Sequence, residues 1–165
     1  MLKYVVAALG CSLACTSFAH SSHPETTVTA AQFETAPIDP HIQVDQCWVR
    51  LLPAQVPSAG YLILHNNQEQ PIELIAATTP QFAHTMLHKT IEVDGLSKMQ
   101  HTDRIAIAAQ SSVQLQPGGL HAMFEQPLTA LKVGDRLQLE LLFAHDKKAI
   151  AECQVQAAKS QQYQK

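Results

Sequence analysis

An all-β chain, folded as an antiparallel sandwich or barrel, is what this sequence predicts, on three observations. Apolar residues recur in short strand-length runs, turn-forming residues separate the runs, and no stretch carries the sustained 3.6-residue periodicity of a long helix. With 165 residues, 46% hydrophobic and 15% charged, the chain is long enough for one core-forming domain with tails.

Residues 1–19 read as a secretory signal. Lys3 supplies the positive start, Tyr4 to Leu13 is mostly apolar, and Ser17-Phe18-Ala19 offers small residues at the −3 and −1 positions of a cleavage site after Ala19. Cys11 and Cys15, each after small or apolar residues, offer a lipoprotein alternative, which the short apolar stretch before Cys11 disfavours. Residues 20–41 hold Pro24, Pro37 and Pro40 among serines, threonines and scattered acids without periodicity, the pattern of a flexible leader.

Strands are then expected over Ile42 to Arg50, Gly60 to His65, Ile72 to Ala77, Met86 to Val93, Arg104 to Ala108, Val113 to Leu115, Leu120 to Phe124, Arg136 to Phe143 and Ala149 to Val155. Breaks fall at Pro53, Pro57-Ser58, Asn66-Asn67, Pro80, Asp94-Gly95, Pro117-Gly118-Gly119, Gly134-Asp135 and Asp146-Lys147. Alternation is clearest in Arg136-Leu137-Gln138-Leu139-Glu140-Leu141, where a period of two puts every leucine on one sheet face. These runs delimit a domain over 42–156, followed by a polar, frayed tail at 157–165.

Charge and address restrict function. A net charge of −3 offers no basic field to a phosphate backbone, which excludes nucleic acid as the expected partner. Beyond the N-terminus no apolar run is long enough to span a bilayer, so no membrane span remains after signal removal. Export to an oxidising compartment makes a disulfide the default for Cys47 and Cys153, the two cysteines left after cleavage. Closing so long a loop is worth about 4 to 5 kcal/mol in the chain-entropy treatment. A redox-active or metal-binding thiol pair is the alternative, and it lacks the C-x-x-C spacing.

One cluster carries chemistry. Beyond Met1 the only methionines are Met86, Met99 and Met123, and His84, His88, His101 and His121 crowd the same part of the chain. Singly, each fits core packing or an ordinary polar surface; together they need a reason. His121-Ala122-Met123 on a strand puts both side chains on one face, with Cα atoms about 6.5 to 7 Å apart. An Asp94-Gly95 turn folds Met99 back towards His88. Four donors, His88, Met99, His121 and Met123, thereby converge. Soft, neutral thioethers beside borderline imidazoles favour Cu(I) over calcium, magnesium or zinc. Without a thiolate to hold it, the ion should pass readily to a better ligand set.

The spacing H-x10-M-x21-H-x-M formed by these four residues resembles that of the periplasmic PCu(A)C copper chaperones. The resemblance runs from Cys47 to Val155 and includes Trp48-Val49-Arg50, Ala59-Gly60-Tyr61 and Leu115-x-Pro117-Gly118-Gly119-x-His121. It implies a cupredoxin-like antiparallel β-sandwich of Greek-key type. It further implies a non-enzymatic periplasmic carrier of Cu(I), with cytochrome c oxidase subunit II as a copper acceptor during CuA-centre assembly, alongside a Sco-type protein. Two departures stand out. Lys89 and Thr90 follow His88 where many members have a methionine, while Met86 precedes it; and the tail after Val155 lacks the His/Met-rich extension some relatives use for Cu(II).

Cleavage after Ala19 would begin the mature chain His20-Ser21-Ser22-His23, whose free amine and imidazole form a Cu(II) chelate; a solvated leader with incidental histidines is the alternative. Two other function classes compete with copper carriage. An enzyme, hydrolase or copper oxidase, would need a catalytic motif, and no G-x-S-x-G or H-E-x-x-H occurs. A metal-independent secreted β-sandwich that serves interaction or assembly would need no metal at all.

Overall fold

The computed structural model describes residues 28–164. The signal segment and the leader histidines His20 and His23 lie outside the described residues.

A six-residue helix, α1 (Ala30–Thr35), precedes ten strands: β1 (Ile42–Arg50), β2 (Ser58–Asn66), β3 (Ile72–Thr78), β4 (Phe82–Val93), β5 (Leu96–His101), β6 (Ile105–Ile107), β7 (Ser111–Leu115), β8 (Leu120–Pro127), β9 (Arg136–Phe143) and β10 (Lys147–Gln156). Hydrogen bonding links them in the order β5-β4-β8-β2-β1-β10-β9-β3-β6, with β7 also on β2. The ladders are antiparallel except β1 with β10, which run parallel with Trp48 opposite Gln154. The sheet curls over on itself, bringing β3 against β4 and β6 against β7. One continuous core fills the interior, with Leu62, Leu64, Leu74, Phe124, Leu139 and Leu141 fully buried.

Two features of β1 and β2 aim side chains at the outer surface. A bulge between Asp45 and Trp48, with Gln46 at φ 50°, breaks the alternation of β1. Ile42 is buried before the bulge, and beyond it Cys47 and Val49 join the same core. Cys47 thereby meets Cys153, 106 residues away, and the two form a disulfide that ties β1 to β10. Trp48 turns outward instead and packs against Tyr61 of β2, ring centroids 4.5 Å apart.

Two terminal expectations need correction. Residues 28–41, expected as part of a flexible leader, are ordered: α1 forms, Ala36 is buried, and Ile38 bridges to Lys148. The Lys148 ammonium donates to Phe33 O at 2.5 Å and to Glu140 Oε2 at 3.0 Å. These long-range bonds supply an order that local periodicity does not announce. The tail, expected to fray, is held as well. Tyr163 packs on Trp48, Ala59 and Tyr61, Ser160 is buried, and Gln156 Nε2 donates to Gln164 O at 3.2 Å.

Candidate metal centre

Each part of the site follows from a local sequence feature. Asp94 (φ 55°) and Gly95 (φ 75°) form a two-residue turn with both centres in the left-handed region, the I′ geometry that suits a tight hairpin. Val93 then pairs with Leu96, and the register runs on to Thr90 opposite Met99 and His88 opposite His101. Gly118 (φ 77°) lets the chain reverse from β7 into β8, closed by Gln116 N–H to Leu120 O at 2.8 Å. On the other side of β4, His88 lies opposite His121, Met86 opposite Met123, and His84 opposite Glu125.

Directly opposed residues in an antiparallel pair share a face, as do residues two apart on one strand. His88, His121, Met123 and Met99 therefore lie on one outer face, together with Met86 and His101. The intervening residues Leu87, Ala122 and Phe124 point into the core and are buried. Met99 sits one pair along from His88, as the turn at Asp94-Gly95 requires. His84 is on the same face but two pairs further from His121, beside a carboxylate.

Burial grades across this patch. His121 is 4% exposed, shielded by Tyr61, whose ring centroid lies 6.4 Å away. His88, Met86 and Met123 are half-buried, and Met99 on the edge strand is 67% exposed. The ring of His88 stands 5.9 Å from that of His121 and 5.7 Å from that of His101.

The hydrogen bonds define which nitrogens are free. His121 Nδ1 lies 3.0 Å from Gly119 O, and because a carbonyl only accepts, Nδ1 carries the proton and Nε2 keeps its lone pair. His88 Nδ1 is buried without a hydrogen-bond partner. Burial, followed by the nearby His121 and His101, pushes the His88 pKa below the ordinary imidazole value. The imidazole is thereby kept neutral, the form that coordinates a metal. Among the described residues no three His, Cys, Asp or Glu side chains already converge in ligating geometry. A metal here would draw in thioethers or reorient an exposed imidazole.

A family profile described as LpqE-like, "Putative lipoprotein LpqE-like", matches residues 42–155. The chain belongs to this LpqE-like family, which is of the PCuAC type. Among curated relatives it is 27% identical over 99 residues to the uncharacterized protein RP573 of Rickettsia prowazekii, spanning 59% of this chain and 55% of that protein. It is 26% identical over 104 residues to "Putative lipoprotein Lxx21020" of Leifsonia xyli, spanning 62% of each. The match thus spans little more than half the length of these relatives. Among solved structures, the apo PmoF2 PCuAC domain superposes with a TM-score of 0.61 at 20% identity, covering 74% of this chain and 94% of that domain. The solution structure of Cu(I)-DR1885 from Deinococcus radiodurans gives 0.58 at 28% identity, covering 81% and 89%. The fold is the cupredoxin-like β-sandwich of PCuAC domains, as expected from the sequence.

His101, like Met86 and His84, lies on this face outside the four donors expected from the sequence. Its signal was present in the Asp94-Gly95 turn, because a two-residue loop fixes every pair of the hairpin it closes, His88 with His101 included.

Proposed function

We propose that this PCuAC-type chain is a copper carrier that binds Cu(I) through His88, Met99, His121 and Met123 and hands it to an acceptor protein. The observation that carries the reading is the shared outer face of β4, β5 and β8. It gathers two imidazoles and two thioethers, with a buried histidine at one end and an exposed methionine at the other. This donor set is neutral and soft, so it suits Cu(I) and leaves the ion its single positive charge. Cys47 and Cys153 are joined to each other, so neither provides the thiolate a blue-copper electron-transfer centre needs. The exposed Met99 lies on an edge strand, where an incoming ligand can replace it first. The Cu(I)-bound state of DR1885, 28% identical to this chain, supports the same metal and oxidation state.

The expected workplace is the periplasm, reached through the signal at residues 1–19. The lipoprotein wording of the family and of the Leifsonia relative supports export and gives weight to Cys11 or Cys15 as an anchoring residue. Among the described residues no helix is long and apolar enough to cross a membrane. The acceptor proposed is the CuA centre in cytochrome c oxidase subunit II, with a Sco-type protein as co-worker. A neutral donor set with an exposed methionine at its edge supports a carrier rather than an enzyme.

An anaerobic Cu(I) titration against a chromophoric chelator tests this. Wild-type protein should compete for one equivalent, and Met99→Leu/Met123→Leu, which conserves volume, should lose the competition while keeping its thermal unfolding midpoint. Equal competition by both proteins, or by neither, would overturn the ligand set and favour a metal-independent interaction module.

A further inference from the structure

We propose that Arg50 anchors the acceptor protein: its guanidinium receives an aspartate or glutamate side chain that the acceptor brings to the edge of the donor face. This inference rests on the reading of that face as the one from which copper is handed over, and it extends the docking surface from β4 and β8 to β1.

Register puts Arg50 beside the donors. Arg50 lies opposite Ala59, Ala59 opposite Met123, and Met123 opposite Met86, so these residues form one cross-strand row over β1, β2, β8 and β4. Beyond the bulge Val49 is buried in the core, which turns Arg50 to the outer face that Met123 shares. Two strand spacings, about 10 Å, separate Arg50 from Met123, with only the methyl of Ala59 between them. Arg50 is the one charged residue in the row.

That charge is unanswered within the molecule. Arg104 pairs with Glu73, Arg136 with Glu152 and Lys148 with Glu140, whereas among the described residues no carboxylate lies within ion-pair distance of Arg50. Its Nη2 donates to Tyr61 Oη, and its Nε is buried without an acceptor. Tyr61 does not neutralise it. Burial raises the phenol pKa above its ordinary value, so the hydroxyl keeps its proton at neutral pH. What Tyr61 supplies is orientation: the guanidinium carbon stands 5.2 Å from its ring centroid, a cation–π contact that holds the group against the face.

A docked acceptor turns this open charge into a requirement. An interface of ordinary size covers about 800 Å² on each partner, a patch of about 16 Å radius. Centred on the β4–β8 ladder, it reaches β1 and covers Arg50. A covered guanidinium without a counter-charge is strongly unfavourable, so the acceptor must bring an acid. A carboxylate fits the planar fork bidentately, and a group already half-buried and held by an aromatic ring has less solvation and freedom left to lose.

The experiment uses the Cu(I)-loaded full chain and two small acceptors that chelate through similar nitrogen pairs: bicinchoninate, which carries carboxylates, and neocuproine, which carries no charge. Stopped-flow rates of Cu(I) removal should fall about tenfold in Arg50→Gln with bicinchoninate and stay unchanged with neocuproine, an arm that also reports whether the donor face is intact. Arg50→Lys, which keeps the charge and loses the fork, should give an intermediate bicinchoninate rate. Lys98→Gln, which removes a charge next to Met99, should leave both rates as they are. Arg50→Gln rates that change equally for the two chelators, or for neither, would overturn this inference and leave the carrier reading standing. So would a Lys98→Gln effect as large as that of Arg50→Gln, since the selectivity would then be general charge attraction. A wild-type chain that holds no Cu(I) would overturn the carrier reading and this inference together.

Discussion

Strands β4 and β8 present two unlike faces from the same backbone. Inward, Leu87, Ala122 and Phe124 are at most 3% exposed and belong to the core. Outward, alternating with them, stand Met86, His88, His121 and Met123. The inner face is constrained by volume, because a close-packed interior registers each added or missing methylene. The outer face is constrained by the identity of its donor atoms, since Met99 and Met123 keep their shape when changed to leucine and lose their sulfur. Substitutions should therefore separate cleanly, with size changes inside costing stability and chemistry changes outside costing metal.

The strongest way to break that separation is Phe124→Ala. Phe124 is fully buried and its ring packs on Phe82, centroids 5.2 Å apart. Removing it should cost about 3 to 5 kcal/mol of stability, read as a lower urea midpoint with an unchanged m-value. A cost under 1 kcal/mol would show that the inner face tolerates voids and that volume is not its constraint.

Gly60→Ala probes the same face by addition rather than loss. A Cβ at Gly60 would stand 2.6 Å from Cε2 and 2.8 Å from Cζ of Phe124, a ring with no free space to retreat into. Overpacking of this kind costs about 1 to 3 kcal/mol. Because Phe124 lies next to Met123 on β8, a displaced ring would also shift the thioether. A small fall in Cu(I) affinity alongside the stability loss would measure how tightly the two faces are coupled, and a stability loss with intact affinity would show them independent.

The two faces also differed in how they could be read from sequence. Leu137, Leu139 and Leu141 reveal their common side through simple alternation, and β1 and β9 have the bounds their apolar runs suggest. Leu96 to His101 carries no strand signal of its own, because all six of its residues are exposed and no apolar period marks it. The parallel pairing of β1 with β10 was equally silent, since pairing direction between the chain's two ends depends on global topology. The bulge at Gln46 has no sequence signature either, yet it turns Trp48 towards Tyr61 and so shields His121. The site itself was legible through spacing: the two turns at Asp94-Gly95 and Pro117-Gly118 are local, and they suffice to put His88, Met99, His121 and Met123 on one face. Order in residues 28–41 and in the tail came from contacts with Lys148 and with the Trp48 and Tyr61 rings, partners more than a hundred residues away in sequence.

The smallest effect expected is a pH dependence confined to the outer face, since the inner-face residues named above carry no titratable group. Burial and the neighbouring His121 and His101 lower the pKa of His88 in the folded protein. In the unfolded chain the same imidazole takes up its proton near the ordinary value of about 6.5. Between the two values the unfolded state binds more protons, so stability rises with pH. The contribution is complete above about pH 6.5 and is lost as pH falls through the lowered folded value. Metal-free protein should therefore unfold at lower urea as pH is reduced from 7 towards 5, and His88→Gln should flatten that dependence without moving the midpoint much at pH 7. The same protons compete for the imidazole lone pair, so Cu(I) affinity should weaken over the same interval. An unchanged urea slope in His88→Gln would move the titrating group elsewhere, and an affinity indifferent to pH would assign copper to the methionines alone.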